Sequence, residues 1–229
     1  YLNTQFDKIL LGFIGSTGSV GIYHLGQTLA LTIFQFMTGL GRVFQPEVYR
    51  KLFAAKHSSG SNEIHTYLLP FFYLSILIAI SVALFSKELV ILMFNNTSIQ
   101  ANIIIIILSM YYASMFFGKI IGMQLIFAKK THLTTLLMFV GIAINVGLNI
   151  PFIIYWGIEG AAWATTISGI IMTIIGYFVA QKYAFISWQW RQINLIHLFF
   201  ILSVIWSILD YNKWIEFGFL FSLIIKFFL

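Results

Sequence analysis

Ala101-Asn102-Ile103-Ile104-Ile105-Ile106-Ile107-Leu108-Ser109-Met110-Tyr111-Tyr112-Ala113-Ser114-Met115-Phe116-Phe117-Gly118-Lys119-Ile120-Ile121-Gly122-Met123-Gln124-Leu125-Ile126-Phe127 decides the fold class. Its one charged side chain, Lys119, sits in a run longer than the roughly 20 apolar residues that carry a helix across a bilayer. The five consecutive isoleucines show no alternation of period two, so a barrel strand is excluded and the segment reads as a transmembrane helix. Working outward, similar runs fall at about 2 to 17, 21 to 44, 67 to 86, 133 to 155, 160 to 181, 195 to 209 and 214 to 229. With 101 to 127 they make about eight expected spans, an all-α polytopic bundle.

Composition agrees. The 229 residues are 60% hydrophobic and 9% charged, far from the quarter charged residues of soluble domains. Mean hydropathy is +0.92, more apolar surface than one water-soluble core can hide. The net charge of +6 is therefore not a nucleic-acid footprint. No cysteine is present, which excludes disulfide frameworks, thiolate zinc clusters and thiol nucleophiles. Five scattered histidines, His24, His57, His65, His132 and His197, show no metal-ligand spacing. Tyr1 is not an initiator and Leu229 falls inside an apolar run, so the sequence is expected to be part of a longer protein.

Basic residues set the orientation. Arg42, Arg50, Lys51, Lys56, Lys129, Lys130, Lys182 and Arg191 fall on one side of the expected bundle and only Lys87 and Lys213 on the other, which places connections 45 to 66, 128 to 132 and 182 to 194 in the cytoplasm. The first of these reads as a solvated loop with at most a short surface helix. Trp156, Trp188, Trp190 and Trp214 lie near expected interfaces and read as anchors.

Charged groups inside a span cost at least about 2.5–3.5 kcal/mol and mark function unless they reach an interface. Asp7, Lys8, Arg42 and Lys119 qualify; Asp7 and Lys8 also fit mutual neutralisation, and Arg42 an interfacial charge. Gln27, Gln35, Gln124, Thr166 and Ser168 read as hydrogen-bonding glue between helices. Asn145 and Asn149, four apart, share one helix face near a break expected at Pro151. Together with Asp7 and Thr165 they offer hard oxygens for Na⁺, or through Asp7 alone a protonatable site. Gly118 and Gly122 read as a small-residue packing pair.

The run Asp7-Lys8-Ile9-Leu10-Leu11-Gly12 with Val20-Gly21-Ile22-Tyr23, followed by a span ending at Pro46, resembles the start of the C-terminal half of O-antigen and polysaccharide flippases of the multidrug/oligosaccharidyl-lipid/polysaccharide exporter superfamily. Gly157-Ile158-Glu159-Gly160-Ala161-Ala162-Trp163-Ala164-Thr165 resembles a later hallmark of the same family. The resemblance implies a bundle over 1–182, the seventh and following helices of a two-bundle transporter, plus two extra C-terminal helices over 183–229. It implies flipping of undecaprenyl-pyrophosphate-linked oligosaccharide across the bacterial inner membrane by alternating access, not enzymatic catalysis. Asp7 matches the family's acidic position tied to cation coupling; no other cofactor is implied. Expected partners are the lipid-linked oligosaccharide, membrane lipids, an N-terminal half and polysaccharide polymerase machinery.

A lipid-linked glycan carries a doubly anionic pyrophosphate, for which Lys8, Arg42 and Lys119 are candidate cations. Tyr23, Tyr111, Tyr112 and Trp163 are candidate sugar-stacking rings, and Gln35 and Gln124 candidate polar contacts. Alternatives remain open: a multidrug exporter or peptidoglycan-precursor flippase of the same superfamily, a membrane-embedded polymerase or glycosyltransferase, and a non-transporting assembly subunit. Drug export favours acidic cavity groups, whereas these candidates lean cationic.

Overall fold

The computed structural model describes residues 2–14, 16–55, 61–94 and 99–212; the span expected at 214 to 229 lies outside them. Among the described residues there are seven helices and no strand: α1 (Leu2–Ile14), α2 (Thr17–Ala55), α3 (Ser61–Leu84), α4 (Ser86–Phe94), α5 (Ala101–Phe127), α6 (Thr131–Gln181) and α7 (Trp190–Tyr211). The all-α membrane class is as expected.

The isoleucine-rich helix is the centre of the bundle. Helix α5 has no polar face to turn outward, and a helix apolar all round belongs inside. Of its most apolar stretch 72% is buried, against 22% for α6, so α5 is the axle on which α2, α3, α6 and α7 pack. Helix α2 meets it with one stripe, Ala30, Ile33, Met37, Phe44, Val48 and Leu52, repeating at three and four residues. Two glycines make room at this contact: a Cβ at Gly26 would meet Ile104 and the Ala101 carbonyl, so the backbones close there, and one at Gly41 would meet the Lys119 side chain that crosses it. Outward faces stay apolar, as at Phe13, Leu92, Phe178 and Leu198, which suits lipid rather than water.

Several expectations change. Four helices, over Glu63–Leu84, Ala101–Phe127, Thr131–Gln181 and Trp190–Tyr211, are long and apolar enough to cross a membrane, so eight spans are not established. The loop expected over 45 to 66 is largely helical, because α2 continues through Pro46 to Ala55 and α3 begins at Ser61. The charges there are spaced for a helix: Arg50 and Lys51 lie 2.7 and 3.8 Å from Glu47, at i,i+3 and i,i+4. Lys51 also reaches Glu63 of α3 at 3.2 Å, joining the two helices.

The break expected at Pro151 lies instead at Gly157. Helix α6 runs through Pro151 and folds back at Gly157, whose φ of 57° and ψ of −128° fit no helix. That left-handed conformation costs a side chain-bearing residue about 1–2 kcal/mol, so glycine is suited to it. The two halves touch so closely that a Cβ at Gly160 would strike the Phe152 carbonyl. They correspond to the runs read at 133 to 155 and 160 to 181. Helix α4 was not anticipated; it leaves the end of α3 and presents Leu92 and Met93 outward.

Candidate functional site

Three helices converge on one buried carboxylate. Asp7 of α1 is fully buried and accepts three hydrogen bonds from neutral donors. Tyr23 of α2 donates through Oη to Oδ2 at 2.9 Å, and Thr165 of α6 donates through Oγ1 to the same oxygen at 2.7 Å. Asn149 Nδ2 donates to Oδ1 at 2.8 Å. Around this shell, Asn149 Nδ2 also reaches Asn145 Oδ1 at 3.0 Å, and Asn145 Nδ2 contacts Thr165 Oγ1 at 3.2 Å and Ser168 Oγ at 3.3 Å. The four oxygen-bearing residues singled out from sequence therefore meet in space, joined by Tyr23 and Ser168.

Local geometry explains the meeting. Asn145 and Asn149 are one helical turn apart on one face, and the fold at Gly157 turns Thr165 and Ser168 back toward them. Helix α1 lies against this hairpin, which sets Asp7 between its halves. Asp7 makes no salt bridge among the described residues; Lys8, next to it in sequence, lies within electrostatic reach of it without forming one. One acceptor is left over: Asn149 Oδ1 is buried and has no hydrogen-bond partner. A lone buried carbonyl oxygen costs about 1–3 kcal/mol, and here it stands beside a carboxylate.

The donor set fits a hard cation or a proton. Two carboxylate oxygens, two carboxamide oxygens and a hydroxyl are the oxygen ligands that Na⁺ takes, with no soft donor among them. As drawn, Asn149 turns its NH₂ to the carboxylate; exchange of its nearly isosteric ends brings the unpartnered Oδ1 there instead. A proton on Asp7 would need such an acceptor, and a cation such a ligand.

The other singled-out residues are spread over the bundle. Lys119 extends from α5 across Gly41 of α2, next to Arg42, which is exposed; neither makes an ion pair among the described residues. Gln35 is exposed on α2. Tyr23 is fully buried against Asp7 rather than on an open wall. Tyr112 is buried with Oη unpartnered, and Tyr111 lines a groove of about 400 Å³ between α5 and α6. Gly118 and Gly122 line the same groove, and a Cβ at either would meet nothing, so they open space instead of closing it. Trp163 borders a separate cavity of about 400 Å³ with Phe152, Trp156, Glu159 and Ile167.

Gln124 forms a clasp that composition did not reveal. Its Nε2 donates to the Ala184 carbonyl at 2.5 Å and lies 3.5 Å from Gln181 Oε1, while Gln181 accepts from Ile186 N and donates to the Ile186 carbonyl, both at 2.8 Å. The two glutamines fasten the connection before α7 to α5 and α6. Only the interhelical contact of such amides is legible from sequence; the loop partner is not.

Comparison with known proteins points the same way as the site. The chain is 22% identical over 194 residues to the probable low-salt glycan biosynthesis flippase Agl15 of Haloferax volcanii, a match covering 85% of this chain and 41% of that protein. The chain thus spans about two fifths of that relative. No family model and no solved structure matches. That relative's name describes a flippase, a transporter rather than a catalyst.

Proposed function

We propose that this chain is part of a flippase that moves a lipid-linked oligosaccharide across a membrane by alternating access, coupled to Na⁺ or H⁺ at Asp7. The observation that carries the coupling is a fully buried carboxylate held by Tyr23, Asn149 and Thr165 with no salt bridge among the described residues, and an unpartnered Asn149 oxygen beside it. Intramembrane carboxylates of this kind are expensive unless they bind what a transporter carries. The site joins α1, α2 and both halves of α6, so an arriving cation draws these elements together and its departure frees them.

The finer reading is a polyprenyl-pyrophosphate-linked repeat unit of O-antigen or capsule, in a bacterial inner membrane. Lys119 and Arg42, adjacent across α2 and α5 and unpaired among the described residues, supply charge for a pyrophosphate. The 22% identical glycan flippase supports the substrate class. An N-terminal half of the same protein would complete the cavity.

Complementation tests this. In cells lacking an O-antigen flippase, the full-length parent should restore surface polysaccharide, and Asp7→Asn should lower it by about tenfold, within the range of a coupling free energy of ~1–3 kcal/mol. Lys119→Ala should lower it as well. Unchanged, still gradient-dependent transport in Asp7→Asn would overturn the coupling site. Failure of a well-expressed parent in several glycan backgrounds would overturn the substrate.

A further inference from the structure

We infer that the bundle end opposite the basic connections carries a sugar-binding site built from Trp156, Glu159, Gln100, Ser19 and Tyr211. The inference takes its ligand class from the glycan reading above, while the geometry stands by itself. These residues line a cavity of about 410 Å³, within the size of small-molecule sites. Its walls are helix ends: the start of α2, the residue before α5, the fold of α6 at Gly157 and the last turn of α7. A cavity bounded by four helix ends lies at the end of the bundle, not midway along its sides.

The chemistry of the lining is that of carbohydrate recognition. Trp156 is 60% exposed, and its ring stands edge-on to Phe152, centroids 5.0 Å apart at 89°, which fixes the indole and leaves apolar surface for the C–H face of a pyranose. Glu159 makes no ion pair among the described residues and lies within electrostatic reach of the Tyr211 hydroxyl, so it is available to accept from sugar hydroxyls. Gln100 brings both a donor and an acceptor, and Ser19 a hydroxyl. Trp156 and Glu159 also line the neighbouring cavity with Trp163, so two sugar units can lie on either side of one indole.

Charge defines what is refused. Among the described residues the lining has one carboxylate and no basic side chain, a set that repels a pyrophosphate and accepts a neutral sugar or an amino sugar. The cations Lys119 and Arg42 lie nearer the opposite, basic end of α5 and α2. A lipid-linked glycan is thus graded along the bundle, with its anion toward one end and its distal sugars toward the other.

The test uses the purified full-length protein in lipid nanodiscs and two free neutral disaccharides, maltose and N,N′-diacetylchitobiose, observed by saturation-transfer NMR. Transfer to ring protons of at least one sugar is expected. It should fall about fivefold or more in Trp156→Ala, the order of an aromatic contact of ~1 kcal/mol, and comparably in Glu159→Gln. Gln100→Ala, at an exposed position, provides a third variant that does not disturb packing, and inorganic pyrophosphate should not compete. No transfer to either sugar in the parent, or transfer that survives all three substitutions in folded protein, would overturn the inference. Flipping measured in parallel keeps the two proposals apart: transport without sugar binding sinks only this one, and sugar binding without transport sinks only the flippase.

Discussion

Thr165 does more for the buried site than its size suggests. Its hydroxyl donates to Asp7 and accepts from Asn145, so Thr165→Val keeps the shape but strands two polar groups. Its neighbour Thr166 makes one bond, at 3.1 Å to the Ile107 carbonyl. Thr165→Val should therefore lower stability by about 1–3 kcal/mol and Thr166→Val by only about 0.5–1.5 kcal/mol, with Thr165→Ser close to the parent. Thermal unfolding in detergent measures both, and a larger loss for Thr166→Val would refute the assignment. Much of this site was legible beforehand. Charge inside an apolar run exposed Asp7, and a four-residue spacing aligned Asn145 with Asn149. Tyr23 was legible only as an aromatic, because which face of α2 meets α1 is decided by the packing of α2 on α5.

Glycines separate the elements into those that close and those that open. Gly160→Ala drives a methyl into the Phe152 carbonyl and should unseat the α6 hairpin, while Gly157→Ala meets no atom and should cost only the left-handed strain of about 1–2 kcal/mol. Gly118→Ala fills open space in mid-helix and should be neutral or gain up to about 1 kcal/mol. The expected order of melting temperature is Gly118→Ala above Gly157→Ala above Gly160→Ala. A spacing of four, as at Gly118 and Gly122, cannot reveal this order, since it is the neighbouring helix that determines whether a glycine is covered. Prolines misled for a related reason. Pro46 and Pro151, read as the end and the break of a helix, lie within α2 and α6, as Pro70 lies within α3, because neighbouring helices hold the chain in register where an isolated helix would break.

The whole molecule is arranged around its most apolar helix, and this was the most legible feature of all: a segment with no polar face has nowhere to lie but the middle. The same sequence contains no cysteine, which makes topology directly measurable. In a full-length background freed of any other cysteine, Asn212→Cys and Lys130→Cys place single thiols at opposite ends of the bundle. A membrane-impermeant maleimide added to intact cells should label Asn212→Cys and should label Lys130→Cys only after permeabilisation. The reverse pattern would invert the orientation read from the basic connections.

The contacts of Asp7 also impose a timetable on biosynthesis. Its carboxylate is 142 residues from Asn149 and 158 from Thr165, so at ribosomal speeds of about 5–20 residues per second it waits roughly 7–30 s for partners that do not yet exist. During that interval Tyr23 is the only one of its three hydrogen-bond donors already made. The segment that carries Asp7 is therefore expected to settle late into its place in the bundle, recruited by the hairpin that completes its shell.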